Sequence, residues 1–314
     1  MTETVELFGP VAEDLAKVET DLRKSIDGDP PEVARPMADL FAAGGKRIRP
    51  ALVLLAAKCG RYDLDRLTPA ATAVELTHAA TLVHDDVIDR SPTRRGRPTV
   101  AASLGDEPAI VIGDFYFAKA YEHAARTGVP EVVDMLARTV MAICAGEVRQ
   151  QAVRYRYSTD VNEYMSRIEA KTAVLLAACC EIGALLGGLD AERRAALAAY
   201  GRTLGLAFQI ADDVLDYTGN EGEVGKPIGH DIAEGFATLP LMLASIRLHD
   251  GRKLSDGEAR RVVDEVRRSD GPGRALQRAR EHADAAREKL RALGGCDAVA
   301  ALAALADYVV TRKL

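Results

Sequence analysis

The sequence predicts an all-α fold, on the strength of three observations. Apolar residues recur at helical spacing along most of the 314 residues, and no segment shows sustained strand alternation. Glycine and proline interrupt these segments where helices typically end and begin. Aromatic residues make up only 5% of the chain and tryptophan is absent, so the core must be built from Ala, Leu, Val and Ile, of which Ala and Leu favour helix. We therefore expect a single α-helical domain that covers residues 1–314.

Capping and turn residues give the expected helix limits. Two polar segments rich in Gly and Pro, 91–105 and 218–237, are longer than usual helix connections and are candidates for lids. In chain order, the expected helices run from Asp29-Pro30-Pro31 to Gly44-Gly45, from Pro50 to Gly60, and from a Thr68-Pro69 cap to about Arg90, and then cover 107–126, 130–155, 162–186, 190–217, 239–248, 255–268, 274–293 and 297–310.

Net charge, the N-terminal segment, hydropathy and cysteine spacing argue against several classes of protein. The net charge of −6 argues against a nucleic-acid partner, which would require a basic face. The N-terminus has neither the basic nor the apolar region of a signal peptide. The most apolar stretch, Ala173 to Leu189, is interrupted by a glutamate and three glycines and fits a buried helix better than a transmembrane segment. Five cysteines without metal-ligand spacing suit a reducing cytoplasm.

A cluster of acidic residues ends the third of these helices. Asp85 and Asp89 are one turn apart on one face, Asp86 flanks them, and His78 lies on nearly the same line two turns earlier. Three like charges within a turn repel one another, and a bound cation would explain their arrangement. The alternative is a solvated acidic helix end.

The same acidic pattern returns more than a hundred residues later. Asp212 and Asp216 share a helix face, Asp213 flanks them, and Gln209 lies within that arc one turn earlier. If the two helices face each other, six carboxylates converge on one cavity, and hard oxygen ligands select Mg²⁺, with Mn²⁺ a further candidate. Because Mg²⁺ typically bridges carboxylates to phosphates, the expected substrate is a diphosphate.

Basic residues complete the pattern, although each taken singly fits a solvated surface charge. A Gly-rich turn before a helix N-terminus favours an anion through its backbone N–H groups and the helix dipole. Together these residues predict two phosphate pockets, one reached through metal and one contacted directly. The basic residues concerned are Lys46, Arg47, Arg49, Arg94, Arg95, Arg97, Lys171 and Lys226.

At this point the chain resembles the trans-isoprenyl diphosphate synthases, or polyprenyl synthetases, of the medium-chain or long-chain type. The resemblance implies a large helical bundle around a deep central apolar cavity, and a homodimer. It extends over nearly the whole chain in the family's order, and its two complete acidic motifs make it specific. The matching stretches are GGKRIRP at 44–50, VELTHAATLVHDDVID at 74–89, RRGRPT at 94–99, GDF at 113–115, KT at 171–172, FQIADDVLD at 208–216, and GKPIGHDIAEG with TLPL within 225–241.

The resemblance also assigns site residues and a reaction. It implies a Mg²⁺-dependent prenyltransferase, in which the allylic carbon–oxygen bond ionises, the double bond of isopentenyl diphosphate attacks, and a proton is lost. The implied catalytic residues are Lys171 and, as oxygen dipoles near the allylic cation, Thr172 and Gln209. The implied metal ligands are Asp85, Asp89, Asp212 and Asp216; the allylic diphosphate would contact Arg94, Lys171 and Lys226, and isopentenyl diphosphate would contact Lys46, Arg49, His78 and Arg95.

One departure from the family pattern concerns Phe236, which stands where the family usually has lysine. A diphosphate contact is expected to be missing there, and His230 is a candidate to compensate.

Product length is the remaining expectation. The family closes its cavity with bulky residues one turn before the first acidic motif, but Ala80 and Thr81 are small, so we expect a product of geranylgeranyl length or longer. Tyr116, Phe117 and Tyr121 are candidates for a deeper floor or for ordinary core packing.

Two other functions compete with this reading. A class I terpene synthase would also ionise an allylic diphosphate, but it would need neither the second Asp-Asp-x-x-Asp motif nor the basic set for a second substrate. A subunit of a heteromeric synthase is the other alternative, although such subunits commonly lose acidic motifs that this chain keeps.

Overall fold

The computed structural model describes residues 8–157, 160–219 and 228–311, and most of these residues are helical. This confirms the predicted all-α class. Short 3₁₀ segments lie at Gly9–Val11 and Leu290–Leu293, a π-helical turn at Glu169–Ala173, and a two-stranded hairpin is formed by β1 (Thr93–Arg94) and β2 (Arg97–Pro98). The α-helices are α1 (Asp14–Ile26), α2 (Pro31–Ala42), α3 (Ile48–Lys58), α4 (Leu64–Ile88), α5 (Val100–Leu104), α6 (Asp106–Arg126), α7 (Pro130–Ala152), α8 (Val161–Ile168), α9 (Val174–Leu186), α10 (Ala191–Thr218), α11 (His230–Ala233), α12 (Leu239–Leu243), α13 (Asp256–Arg268), α14 (Gly271–Lys289) and α15 (Asp297–Thr311).

The chain divides into two compact units. The first unit comprises Met1–Val140, Leu175–Ala198 and Leu290–Leu302, and the second comprises Met141–Val174, Ala199–Lys289 and Ala303–Leu314. The expectation of one domain over the whole chain stays a prediction.

Small residues bring the helices of the first unit together. Helix α4 packs against α6 and α3, and every α3 residue from Ala51 to Ala57 is fully buried. A Cβ added to Gly183 of α9 would lie 2.2 Å from the carbonyl oxygen of Val53. Close helix contact through Ala and Gly therefore replaces the aromatic packing that this composition lacks.

Two apolar clusters form the core of the second unit. One centres on Tyr164, Ile210 and Ala279, and the other on Tyr217 and Val263. Among the described helices, none has both the length and the apolar character needed to cross a bilayer.

Several expected boundaries were wrong. Helix α4 begins at Leu64 rather than after Thr68, because the Asp63 side chain accepts from the backbone N–H groups of the first turn, at 3.1 Å from Asp65 and 3.4 Å from Arg66. The helix expected over 239–248 ends at Leu243, and Ser245 has a left-handed φ of 58°, which a helix cannot continue through.

Other differences concern segments rather than limits. The segment 91–105, expected to be a loop, contains the hairpin and α5, and its function as a lid stays a prediction. Helix α1 was not expected. The prediction of a lid over 218–237 falls partly on residues 220–227, which lie outside the described residues.

Candidate active site

The first acidic motif lies at the C-terminal end of α4, in the first unit. Asp85 and Asp89 are half-buried, whereas Asp86 is buried. Arg94 of β1 donates from Nε to both oxygens of Asp86, at 2.9 and 3.0 Å, and from Nη2 to Oδ1 at 2.7 Å. A carboxylate that accepts several charge-assisted hydrogen bonds from one guanidinium has a fixed orientation. Asp86 therefore binds a side chain of its own chain, and the Nε and Nη2 groups of Arg94 are engaged in that contact.

The hairpin that carries Arg94 also places Arg95. Arg95 and Gly96 form a two-residue turn with left-handed φ values of 51° and 74°, the backbone pattern of a type I′ hairpin. The Arg95 guanidinium donates to the carbonyl oxygen of Gly44. A Cβ on Gly45 would lie 3.3 Å from the Arg95 side chain, so the Gly-rich turn leaves room for this guanidinium.

Arginines surround His78 of α4. The pKa of His78 lies well below its usual value, first because the ring is enclosed by protein and then because Arg49, Arg95 and Arg94 are close. The pKa of Arg95 is also lowered, by burial and by neighbouring arginines. Of the set predicted to bind isopentenyl diphosphate, the structure brings together Arg49, His78 and Arg95, and Lys46 is exposed on the adjacent turn. Such concentrated positive charge is suited to a polyanion.

Arg47 belongs to the same turn but points elsewhere. It has a left-handed φ of 52° and donates to both carboxylate oxygens of Glu19 in α1, at 2.7 and 3.0 Å, and to Glu75 Oε1 in α4 at 2.8 Å. Arg47 therefore links two helices, and its neighbours Lys46 and Arg49 remain the candidates for substrate contact.

The second acidic motif lies on α10, in the second unit. Asp213 is buried and accepts from the Tyr164 hydroxyl at 2.7 Å and from Gln209 Nε2 at 2.8 Å. Asp212 is half-buried, and Asp216 accepts from two backbone N–H groups at the start of α11, at 3.1 and 3.2 Å. Burial and the nearby charge of Asp231 raise the pKa of both Asp213 and Asp216.

The π-helical turn between α8 and α9 carries the predicted pair Lys171 and Thr172. The backbone N–H of Val174 donates to the carbonyl oxygen of Glu169, five residues earlier, which defines the π turn. Thr172 Oγ1 donates to Gln209 Oε1 at 2.5 Å, so Gln209 connects Thr172 to Asp213. A cavity of about 30 Å³, enough for one or two water molecules, lies beside these groups. Its lining is Gln150, Arg167, Ile168, Lys171, Gln209, Asp213, Asp231, Phe236 and Thr238.

Phe236, where a lysine was expected, is buried and lies beside two cations. The guanidinium carbons of Arg154 and Arg167 lie 5.7 and 5.8 Å from its ring centre. Arg167 also lies 5.5 Å from the Tyr164 ring and donates to the carbonyl oxygen of Ala237. Positive charge therefore reaches this cavity from α8. Compensation by His230 stays a prediction; its backbone N–H bonds to Asp216.

Sequence reasoning missed six members of this cavity or its hydrogen-bond network: Gln150, Tyr164, Arg167, Ile168, Asp231 and Thr238. Asp231 and Thr238 stand within matching stretches, which were the available signal for them. Tyr164 is 49 residues from the carboxylate that it contacts, so local spacing could not reveal it.

The donor chemistry of the acidic motifs fits a hard divalent cation. Their oxygens are of the kind that Mg²⁺ prefers, and half-buried Asp85, Asp89 and Asp212 are accessible to solvent. Within the described ranges, no three acidic, His or Cys side chains are grouped closely enough to hold an ion by themselves. Lys226 lies outside the described residues.

The residues expected to control product length lie in the first unit. Ala80 is fully buried, and the Thr81 hydroxyl bonds to the carbonyl oxygen of His78. Tyr116 is buried with its hydroxyl 3.3 Å from the carbonyl oxygen of Val33, and Phe117 packs against His84. Tyr116 therefore has a packing function, and the assignment of a cavity floor stays a prediction.

A cavity of about 390 Å³ in the same unit lies on the Val83 and Asp86 side of α4. Neither Ala80 nor Thr81 lines it. Its position therefore gives no support to the expected tunnel below these small residues.

The fold and these motifs define an all-helical protein with two acidic motifs, a cluster of arginines and a polar cavity. The polyprenyl synthetase family model matches residues 30–262, and the chain belongs to that family.

Named relatives and a solved structure agree. Component 2 of heptaprenyl diphosphate synthase from Geobacillus stearothermophilus is 38% identical over 98% of both chains. Geranylgeranyl diphosphate synthase from Methanosarcina mazei is 37% identical over 90% of this chain and 91% of its own. The crystal structure of a polyprenyl synthase from Caulobacter crescentus, complexed with calcium and isoprenyl diphosphate, matches with a TM-score of 0.91 at 36% identity, over 99% of this chain and 97% of that one.

Proposed function

We propose that the chain is an all-trans polyprenyl diphosphate synthase that condenses isopentenyl diphosphate onto farnesyl or geranylgeranyl diphosphate. The observation that carries this proposal is the arrangement of the two acidic motifs. In each, the first aspartate is half-buried, and the second is buried and accepts from a side chain of another element, Arg94 of the hairpin or Tyr164 of α8. Membership of the polyprenyl synthetase family supports the reaction type.

Mg²⁺ is the proposed metal; the candidate ligands are Asp85 and Asp89 in the first unit and Asp212 and Asp216 in the second. When bound, it would neutralise charge on the diphosphate that leaves the allylic carbon. The donor chemistry described above supports this choice.

The chain's own residues would bind and orient the substrates. Arg49, His78, Arg95 and Lys46 would bind isopentenyl diphosphate, and His78, neutral because its pKa is lowered, would take part as a hydrogen-bonding group rather than as a charge. Lys171 and Lys226 would contact the allylic diphosphate, with Arg94 contributing only donors that Asp86 leaves available.

The bond changes balance without a protein nucleophile. The allylic carbon–oxygen bond breaks, a carbon–carbon bond forms to the isopentenyl double bond, and the proton lost from the new cation goes to the released diphosphate. Thr172 and Gln209, joined by their hydrogen bond, would present oxygen dipoles to the allylic cation.

Product length is proposed to be geranylgeranyl or longer. Small Ala80 and Thr81 support this limit, and the heptaprenyl and geranylgeranyl names of the relatives span the same range.

Assembly with a second copy of the chain is the proposed quaternary state. Met141 and Val148, seven residues apart on α7, are 63% and 72% exposed, which favours an interface along that helix. The alternative is a heteromeric enzyme, because one relative is named as component 2. Light scattering on the purified chain separates them: a dimer active alone supports the first, and a monomer inactive without a second protein supports the second.

The decisive test is an elongation assay. Purified protein is incubated with Mg²⁺, labelled isopentenyl diphosphate and farnesyl or geranylgeranyl diphosphate, and products are resolved by mass. We expect a ladder that ends at one length, abolished by a chelator and restored by Mg²⁺. Asp212→Asn should lower metal-dependent activity at least tenfold, because loss of even an outer-shell partner of a metal typically costs about tenfold to a hundredfold. A hydrocarbon formed from the allylic substrate alone would instead identify a terpene synthase.

A further inference from the structure

Two helix segments of the second unit, 141–152 of α7 and 199–218 of α10, carry the same short pattern beside the π-helical turn. Helix α7 contains Gly146 followed four residues later by Gln150, and helix α10 contains Gly205 followed four residues later by Gln209. Residues four apart lie on one face of a helix, so each glycine and its glutamine point the same way. Both glutamines line the small cavity together with Lys171.

Each glycine is in close contact with one end of the π-helical turn. A Cβ on Gly146 would lie 2.4 Å from the Cβ of Ala170, and a Cβ on Gly205 would lie 2.4 Å from the Cα of Ala173. Neither approach leaves room for a methyl group. A π turn is wider than an α turn because it holds an extra residue, so the helices on both sides need a missing side chain at these points.

We propose that Gly146 and Gly205 are positioning residues that hold the π turn where Lys171 lines the cavity and Thr172 donates to Gln209. This proposal rests on the proposed prenyl transfer. Gly205 brings α10 close enough for Gln209, one turn later, to accept from Thr172 at 2.5 Å. Gly146 likewise lets α7 approach the turn, and Gln150, one turn later, lines the cavity and donates from its amide to Glu147 at 3.1 and 3.2 Å. The two Gly-x-x-x-Gln segments thus flank the turn on opposite ends.

The two contacts differ in a way that makes the proposal testable. Gly146 meets a side-chain methyl group, so Gly146→Ala should be compensated by Ala170→Gly. Gly205 meets backbone, because the nearest atom is the Cα of Ala173, so Ala173→Gly should not compensate Gly205→Ala. A general loss of helix stability would show no such difference.

The control is Gly257→Ala. Gly257 lies in helix α13, and a Cβ there would have nothing within 4 Å. This substitution should leave kcat and the KM values unchanged.

The experiment measures elongation kinetics and amide hydrogen exchange on the full chain. We expect each glycine variant to lower kcat at least tenfold, since small misplacements of catalytic groups are costly, with the KM for isopentenyl diphosphate little changed. Exchange at residues 169–174 should accelerate in both variants. Gly146→Ala with Ala170→Gly should return kcat and exchange to near wild-type values, and Gly205→Ala with Ala173→Gly should not.

The proposal is overturned if the glycine variants keep wild-type exchange at 169–174, or if both double variants recover equally. The hydrogen-exchange measurement also distinguishes a failure of this inference from a failure of the proposed function. A wild-type chain that elongates nothing, while its glycine variants lose protection at the turn, would refute prenyl transfer and leave the positioning of the turn intact.

Discussion

Replacement of Arg47 by methionine should cost a large part of the protein's stability. Arg47 donates to Glu19 and Glu75 and lies 5.8 Å from the ring centre of Phe41. The side chain of Glu19 is 30% exposed and would be rehydrated, whereas that of Glu75 is only 7% exposed. Among the described residues, Oε2 of Glu75 has no hydrogen-bond partner, and Arg47 is the ion-pair partner that Oε1 would lose.

The magnitude follows from this difference in burial. Breaking a buried ion pair by removing one partner typically costs about 3–5 kcal/mol, because the remaining charge is buried and uncompensated. The lost contacts of the partly exposed Glu19 add about 1 kcal/mol or less. Replacement of both charges by apolar groups of similar size is often neutral. The double variant Arg47→Met with Glu75→Leu should therefore recover most of the loss.

The assay is urea unfolding followed by far-UV circular dichroism, with Lys46→Met as the matched control. Lys46 is exposed on the same turn, so its replacement should change the unfolding free energy by less than about 1 kcal/mol. If Arg47→Met were as stable as the control, or if the double variant were no more stable than Arg47→Met, the structural function of Arg47 would be refuted.

Three further predictions concern separate parts of the chain. Thr81→Phe should shorten the product ladder, and an unchanged length by mass would show that the growing chain does not pass this residue. Arg167→Gln should raise the KM for the allylic diphosphate about tenfold without a comparable change for isopentenyl diphosphate, because one charge-assisted contact is worth roughly 1.5–3 kcal/mol. Adding Phe236→Lys to this variant should restore the KM for the allylic diphosphate. Equal KM values in wild type and Arg167→Gln would contradict the idea that Arg167 replaces the charge of the usual lysine. Burial lowers the pKa of His123 below its ordinary 6.5, so the unfolded state binds more protons and stability should fall as pH drops below 6.5. His123→Gln should flatten that dependence in unfolding curves at several pH values, and an unflattened curve would assign the acid sensitivity to other groups.

The helices could be predicted from the sequence because helical periodicity is local. The ends of the helices were harder to predict, since they depend on individual hydrogen-bonding side chains and backbone angles. The Asp63 side chain starts α4 four residues before the expected cap at Thr68. The left-handed backbone of Ser245 follows the early end of α12, although the apolar pattern continues beyond it.

The charged part of the candidate site was largely predictable, and its supporting contacts were not. His78, Arg49 and Arg95 are named by motif and are close together in the structure. The π turn could not have been predicted, because it depends on space provided by Gly146 and Gly205 in helices distant along the chain. Sequence spacing alone gives no sign of such tertiary contacts.

Adjacent aspartates repel each other, and the structure indicates how each motif tolerates two in succession. In the first motif Asp86 is turned inward and neutralised by Arg94, and in the second Asp213 is turned inward to Tyr164 and Gln209. The partner is a cation in one unit and a pair of neutral donors in the other. The motifs therefore share an arrangement, in which the first aspartate is half-buried and the second binds protein side chains, although the partner groups differ. Asp86 connects α4 to the hairpin, which also carries Arg95. Asp213 connects α10 to α8, the helix that leads into the π turn with Lys171. The half-buried first aspartate of each motif is adjacent to the anchored second aspartate, so the proposed metal would meet a carboxylate whose helix is held in place.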